Sequence, residues 1–501
     1  MPVTPLTFGT AGLRGPMREG PDAMNVTTVM RATWAVADVL KNRQLGGATV
    51  VVGRDARHHS DEFATATAEV FAAEGFSVVA LPEPAPTPIV AFAVRHLGAA
   101  AGVQITASHN PATDNGYKVY FDGGIQIVPP TDRHIEQAMR QAPTDVARTT
   151  VSSTGTALIE LYTRRTATLR RTDGGLRVAL TAMHGVGGAL AVNVLHKAGI
   201  VDIHTVTAQF DPDPDFPTVA FPNPEEPGAA DLLLDLAANA DADIAIALDP
   251  DADRCAVGIP TTGGWRMLSG NETGWLLGDY LLSALTPEQA DGTVVASSIV
   301  SSQLLAKIAA DHGAHHVETL TGFKWIARAD NQIPGTTMRY AYEEAIGHCV
   351  DPDTVRDKDG ISAAVVACDL VVSLRGQGST VQDKLDGLAR RHGVHLTDAV
   401  SVHTDADAVM RRLRADPPTQ LAGLPVSIDD LARHDDRRQT DALMFTGEGI
   451  RVAIRPSGTE PKIKCYIEVS APPTDDLVGA RERMGELMRA VKEQSAALLT
   501  P

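Results

Sequence analysis

The chain has 501 residues, 44% of them apolar and 21% charged, with a net charge of −18 at neutral pH. At roughly 150 residues per domain, this length predicts three or four domains rather than one core. The acidic balance argues against a general binder of nucleic acid or anionic membranes and leaves room only for a local basic pocket. The four cysteines (Cys255, Cys349, Cys368, Cys465) are far apart, with no C-x-x-C spacing. That argues against zinc or a disulfide framework and predicts reduced, buried thiols in a cytoplasmic protein. The N-terminus has no basic and apolar regions of a signal peptide, and no run of about 18 apolar residues suits a membrane span.

In chain order, Phe8-Gly-Thr-Ala-Gly-Leu-Arg-Gly15 comes first. Its glycines imply close backbone approach, and Arg14 between them can reach an anion. A helix is expected from Thr28 to Lys41, a strand from Ala48 to Val52, and a helix capped by Ser60 and running to about Ala73. Ser77 to Leu81 reads as a strand and the proline-rich Pro82 to Pro88 as an irregular crossing. The small apolar run Ala99 to Ile105 reads as a buried strand, and Thr106-Ala-Ser-His-Asn-Pro111 as the loop at its end. Ligands bind at such strand ends in open α/β sheets.

An amphipathic helix around Leu158 to Leu169 separates this unit from a second. The second begins at Leu176 and carries a strand, Asp243 to Leu248, that ends in Asp249-Pro-Asp-Ala-Asp-Arg254. Between them lies a long loop containing Pro222-Asn-Pro-Glu-Glu-Pro227, and loops of this length are often functional. A third unit pairs strands at Thr293 to Ser297 and His316 to Leu320 with a helix at Ser301 to Asp311. It also carries Tyr342-Glu-Glu-Ala-Ile-Gly347, and Arg356-Asp-Lys-Asp-Gly360 leading a helix to about Leu374. From about Ala399 the texture changes: a helix from His403 to Arg414, strands around Arg455-Pro-Ser-Gly-Thr-Glu-Pro461, and a final helix from Leu477 to Leu499. The expected architecture is α/β: three similar α/β domains with mixed sheets around a central cleft (1–172, 173–268, 269–396), then an α+β domain (397–501).

Five patterns carry chemistry. Ser108 is a hydroxyl presented on a loop, with His109 beside it; alone, the stretch reads equally as a capped turn. Asp249, Asp251 and Asp253 alternate, which in extended backbone puts them on one face, where oxygen ligands suit Mg²⁺. An EF-hand is excluded, since its sixth and twelfth positions would be Arg254 and Pro260. An aspartyl-phosphate site with Asp249 as nucleophile is a second reading. Arg455, Ser457, Gly458 and Thr459 form an anion cradle of one guanidinium, two hydroxyls and open backbone. Lys118 and Lys358 are candidate phosphate contacts or proton carriers, and Glu343 and Glu344 are candidate hydrogen-bond partners for sugar hydroxyls.

Taken together and in order, the stretches at 106–111, 249–254, 342–347 and 455–461 resemble the four signature loops of the α-D-phosphohexomutase superfamily, over nearly the whole chain. The resemblance implies an intramolecular phosphotransferase of the phosphoglucomutase/phosphomannomutase type. Ser108 would carry a phosphoryl group and, with Asp249, Asp251 and Asp253, hold Mg²⁺. Arg14, His109, Lys118 and Arg254 would surround that phosphoryl, with Lys358 as proton acceptor. Lys324 and Glu343 would bind the sugar, and Arg455, Ser457, Gly458 and Thr459 the phosphate that does not react. A sugar bisphosphate, glucose 1,6-bisphosphate, would act as activator, and the protein would be a monomer or homodimer. Many hexomutases have serine where Ala345 stands. The stretches at 115–120, 321–325 and 343–347 look closer to the branch with phosphopentomutases and glucose 1,6-bisphosphate synthases. That branch has a longer segment before Phe8, so an N-terminal helix is expected to be missing. Phosphopentomutase activity is the alternative.

Overall fold

The computed structural model describes residues 5–9, 12–457 and 462–500. The first domain holds β1 (Leu13–Pro16), β2 (Thr49–Arg54), β3 (Ser77–Ala80), β4 (Ala101–Ile105), β5 (Asp114–Phe121) and β6 (Ile125–Gln126). They lie in the order β1-β5-β4-β2-β3, with β6 beside β5. The second holds β7 (Arg177–Thr181), β8 (Asp202–Thr205), β9 (Ile244–Leu248), β10 (Cys255–Thr261) and β11 (Gly264–Met267), ordered β11-β10-β9-β7-β8. The third holds β12 (Thr293–Ser298), β13 (His315–Thr319), β14 (Thr337–Glu343) and β15 (Gly347–Cys349), ordered β13-β12-β14-β15.

The three sheets share one device. In each, a buried strand of the parallel set is followed by an antiparallel return strand: β4 by β5, β9 by β10, β14 by β15. The loop at that reversal is 106–113, 249–254 or 344–346. The three signature stretches therefore occupy equivalent places, each at the carboxyl end of a parallel strand, where α/β sheets bind ligands.

The fourth domain is a wholly antiparallel sheet. Its strands are β16 (Val394–His403), β17 (Gln420–Leu421), β18 (Leu424–Asp430), β19 (Leu443–Gly447), β20 (Ile450–Pro456) and β21 (Lys462–Ala471), ordered β16-β21-β20-β19-β18-β17. The helix Leu477–Leu499 packs on β16 and β21. The fourth signature stretch, 455–461, begins at the end of β20, and its residues 458–461 lie outside the described residues.

Packing binds the first three domains more tightly than the fourth. One apolar core runs through all three, joining the helices Thr87–Leu97, Thr156–Ala167 and Gly360–Gly376. The last of these is apolar around its whole circumference, as a helix must be to sit inside a core. No single described helix is long and apolar enough to cross a membrane. The fourth domain has its own core and meets the third through a small cluster of Ile299 and Val300 with Leu431, Ala442, Met444 and Ala453.

Three local readings differ from the sequence pattern. The proline-rich crossing runs straight into the helix Thr87–Leu97, because Pro88 falls in its first turn, where a missing N–H costs nothing. His403 ends strand β16 instead of opening a helix, and Asp405 caps the helix Ala406–Ala415. Ser60 is the first residue of its helix, not the cap; its hydroxyl donates to Asp55 instead.

Candidate active site

Ser108 stands in the left-handed region, at φ 55°, just past the end of β4. That conformation costs an L-residue roughly 1–2 kcal/mol, so neighbours must enforce it. The Ser108 N–H donates to Thr106 Oγ1 at 2.9 Å. The principal clamp is Arg57, which sequence reasoning missed. Its guanidinium donates to the carbonyls of Ser108 (2.7 Å), Asn110 (2.6 Å), Pro111 (2.7 Å) and Asp114 (3.1 Å). Asp55 lies 3.4 Å away as its counter-charge, and the Phe216 ring of the second domain covers it at 4.9 Å. An arginine two residues beyond a strand-end Gly-Arg-Asp was visible in the sequence, but nothing there said which carbonyls it would meet. So held, Ser108 Oγ donates to Asp249 Oδ2 at 2.9 Å and lies 3.1 Å from His109 Nδ1.

Asp249, Asp251 and Asp253 are all buried, and one carboxylate oxygen of each lies within 4.8 Å of the others. They converge through a turn and not through extended backbone, as the alternation suggested. Ala252 takes φ 52°, its N–H bonds the Asp249 carbonyl at 2.8 Å, and the reversal gathers the three side chains. Among the described residues, Oδ1 of Asp251 and of Asp253 has no hydrogen-bond partner. Buried oxygens left open in this way, in an all-carboxylate set, fit a hard divalent cation.

Cations crowd the triad, two of them from other domains. Lys118 Nζ lies 2.6 Å from Asp251 Oδ2 and 2.8 Å from Asp253 Oδ2, and Lys358 Nζ 3.1 Å from the latter. Arg254 Nε sits at 3.8–4.0 Å from Asp253 and Asp249. Burial and the repulsion of its two neighbours push Asp249 well above the carboxylate range. Asp253 is buried too, but Lys118, Lys358 and Arg254 hold it below that range. Thr87, the first residue of its helix, also reaches across the domain boundary: its hydroxyl donates to Asp251 Oδ2 at 2.6 Å. Sequence reasoning missed it, since a threonine among prolines carries no chemical signal.

Arg14 approaches from β1, donates to Asn110 Oδ1 at 3.3 Å, and keeps a buried Nε with no hydrogen-bond partner among the described residues. Burial, together with Arg254 and Arg14, drives His109 well below its ordinary value, so its imidazole is neutral near pH 7. Lys358, expected as a proton acceptor, is an ammonium here. Burial pulls it down, but Asp253, Asp357 and Glu343 together hold it above the usual lysine value.

Glu343 ends β14 and is buried, its carboxyl raised by burial and drawn back by Lys358 and Arg254. Gly347 is required beside it: a Cβ there would lie 2.2 Å from Lys358 Cδ. Glu344 is committed inside its own domain, where the hydroxyls of Ser298 and Ser301 donate to Oε2 at 2.7 and 3.0 Å. Lys324 donates to the Gly9 carbonyl at 3.3 Å. Arg455 lies on β20 and bonds Tyr466, while the Ser457 N–H donates to the Lys462 carbonyl at 2.8 Å. Gly458 and Thr459 lie outside the described residues. Lys464, another residue missed, pairs with Arg455 across the β20–β21 register. Burial and the charges of Lys462, Arg455 and Arg254 lower it, against the pull of Glu344. The alternation Lys462-Ile-Lys464 was its only signal.

Four domains meeting on a loop serine, an acidic triad and a ring of cations define the phosphohexomutase architecture. Residues 5–145, 160–263 and 269–391 match phosphoglucomutase/phosphomannomutase alpha/beta/alpha domains I, II and III, and residues 410–478 match the C-terminal domain. A "Probable phosphomannomutase" of Haemophilus influenzae is 40% identical over 94% of this chain and 98% of its own. The phosphopentomutase of Homo sapiens is 35% identical over 97% of this chain and 89% of its own. A phosphoglucomutase/phosphomannomutase family protein of Burkholderia thailandensis, 20% identical, shares the fold with a TM-score of 0.73 over 97% of both chains. The chain belongs to the phosphoglucomutase/phosphomannomutase family of intramolecular phosphotransferases, which isomerise sugar phosphates.

Proposed function

We propose that this chain moves a phosphoryl group between C1 and C6 of glucose or mannose, with Ser108 as the carrier and a bisphosphorylated sugar as intermediate. The observation that carries the reading is Ser108 Oγ itself, on a residue of left-handed backbone and placed 2.9 Å from an acidic triad ringed by cations. The phosphoryl on Ser108 passes to the free sugar hydroxyl, whose proton ends on the departing Ser108 Oγ; the bisphosphate turns around, and its other phosphate returns to Ser108 as that proton goes back to the sugar oxygen it leaves. Such transfer depends on in-line positioning and charge neutralisation more than on covalent assistance. Arg14, Lys118, Lys358 and Arg254 supply fixed positive charge at the transferring group, and neutral His109 one N–H donor. Glu343 accepts from sugar hydroxyls, and Arg455, Ser457, Gly458 and Thr459 hold the other phosphate. Enclosure by four domains keeps water from the bisphosphate. Glucose 1,6-bisphosphate is the proposed activator, since it loads Ser108.

Asp249, Asp251 and Asp253, with a phosphate on Ser108, would hold Mg²⁺, which when bound neutralises charge on the transferring phosphoryl. Chelation is expected to lower turnover by about a hundredfold or more, because such an ion contributes several kcal/mol. Restored Mg²⁺ should return the activity and also raise the unfolding temperature, as any ligand of the native state does. A melting curve indifferent to Mg²⁺ would count against the site.

Two observations favour a second reading, phosphopentose: Ala345 stands where hexomutases offer a serine hydroxyl, and the human phosphopentomutase is 35% identical. The test is to assay glucose, mannose and ribose 1-phosphates side by side, with bisphosphate and Mg²⁺. Either hexose is expected to turn over faster than ribose. Ribose turnover far above both assigns the chain to pentose.

A further inference from the structure

Lys358 reaches Asp253 from the third domain, and what fixes it lies in the first. Asp357, Lys358 and Asp359 are all buried. The Tyr120 hydroxyl on β5 donates to Asp357 Oδ2 at 2.9 Å, and Gln126 Nε2 on β6 donates to the same oxygen at 2.7 Å. Asp357 Oδ1 accepts the Lys358 backbone N–H at 2.8 Å and lies 4.0 Å from its Nζ. Asp359 makes a similar contact to a different end. It accepts from the Tyr162 hydroxyl at 2.7 Å, but its Oδ1 also accepts the N–H groups of Ile361 and Ser362, both at 3.1 Å, as the cap of helix Gly360–Gly376.

We propose that Asp357, clasped by Tyr120 and Gln126 across the domain boundary, is a positioning residue that holds the Lys358 ammonium at the transferring phosphoryl. A lysine is a point charge on a flexible stem and does not fix its own place. Here the Phe323 ring lies 5.7 Å from Nζ and Gly347 leaves room for the stem, but among the described residues only Asp357 ties both the backbone and the charge of Lys358 to the domain that carries Ser108. The bond to Tyr120 makes the ammonium's position depend on the docking of the first domain against the third. Asp359, by contrast, serves its helix. The proposal rests on the mutase reading of this cleft.

Two matched variants test it. Tyr120→Phe and Tyr162→Phe each remove one phenolic donor from a buried ring outside the third domain, and each leaves one third-domain aspartate a bond short. Tyr120→Phe is expected to lower kcat tenfold to a hundredfold with KM within twofold, since a displacement near 1 Å costs that much in transfer. Tyr162→Phe is expected to lower the melting temperature and leave kcat within twofold. Gln126→Leu, which removes the other donor to Asp357, should repeat the kcat effect and substitutes for Tyr120→Phe if that variant does not fold. Tyr120→Phe, or in its place Gln126→Leu, with kcat within twofold of the parent, or a kcat equally reduced in Tyr162→Phe, overturns the proposal. A parent that turns over no glucose, mannose or ribose 1-phosphate defeats the underlying reading instead, so the two failures are separable.

Discussion

Ser108→Ala is expected to lose turnover by on the order of 10⁴-fold or more while still binding sugar phosphate. The magnitude follows from removing the one atom that carries the group, as in other enzymes stripped of their nucleophile. Stability should change little. Alanine gives up one hydrogen bond, about 1 kcal/mol, and Asp249 keeps the Arg254 N–H on its other oxygen at 3.0 Å. Arg57 still holds the loop through carbonyls that any residue at 108 possesses. The measurement is turnover beside intact mass and phosphopeptide mapping after incubation with bisphosphate. The parent should gain an acid-stable phosphate on Ser108 and the variant none. Near-normal turnover in the variant would sink the carrier role, and a phosphate mapped to Asp249 with release of inorganic phosphate would favour an aspartyl-phosphate hydrolase.

Arg57→Ala is expected to be the most destabilising change at the site, by about 3–5 kcal/mol, the usual result of removing one partner from a buried ion pair. Four carbonyls each lose a donor at once, though the Pro111 carbonyl keeps the Asp114 N–H at 3.0 Å, and Asp55 is left buried without its counter-charge. Burial already raises Asp55, and Arg57 is the largest influence opposing it. The Ser108 backbone should then relax from its left-handed conformation, and turnover should fall even where the variant stays folded. Arg57→Lys should not rescue either property, because one ammonium cannot span the four carbonyls that a planar fork serves. Thermal unfolding and kcat at a permissive temperature check both statements. A lysine variant with parental melting temperature and turnover would show that charge alone is needed there.

Much of this molecule was legible in its sequence. The final helix runs from Leu477 to Leu499 as the charged, periodic pattern predicts. Ser108 and the three aspartates were identifiable because each follows a short apolar run, broken before Ser108 only by Gln104, and such a run reads as a buried strand with its chemistry at the end. Local order of residues is enough for that inference, since periodicity reports which side of an element is buried.

What periodicity does not report is against what. Lys118 stands ten positions after Ser108, yet its ammonium belongs to aspartates 133 and 135 positions further on. Thr87 meets Asp251 across 164 positions, and Tyr120 meets Asp357 across 237. Arg57 becomes a clamp only when the serine loop folds over it and Phe216 closes behind. The alternation of the three aspartates was visible, but the turn at Ala252 that gathers them was not. The sequence by itself determined the elements, the order of the four loops and the residue types each would offer. Tertiary structure alone decided which charges became partners, because ion pairs and hydrogen bonds act over a few ångströms, and only the docking of separate domains brings such distant residues within reach.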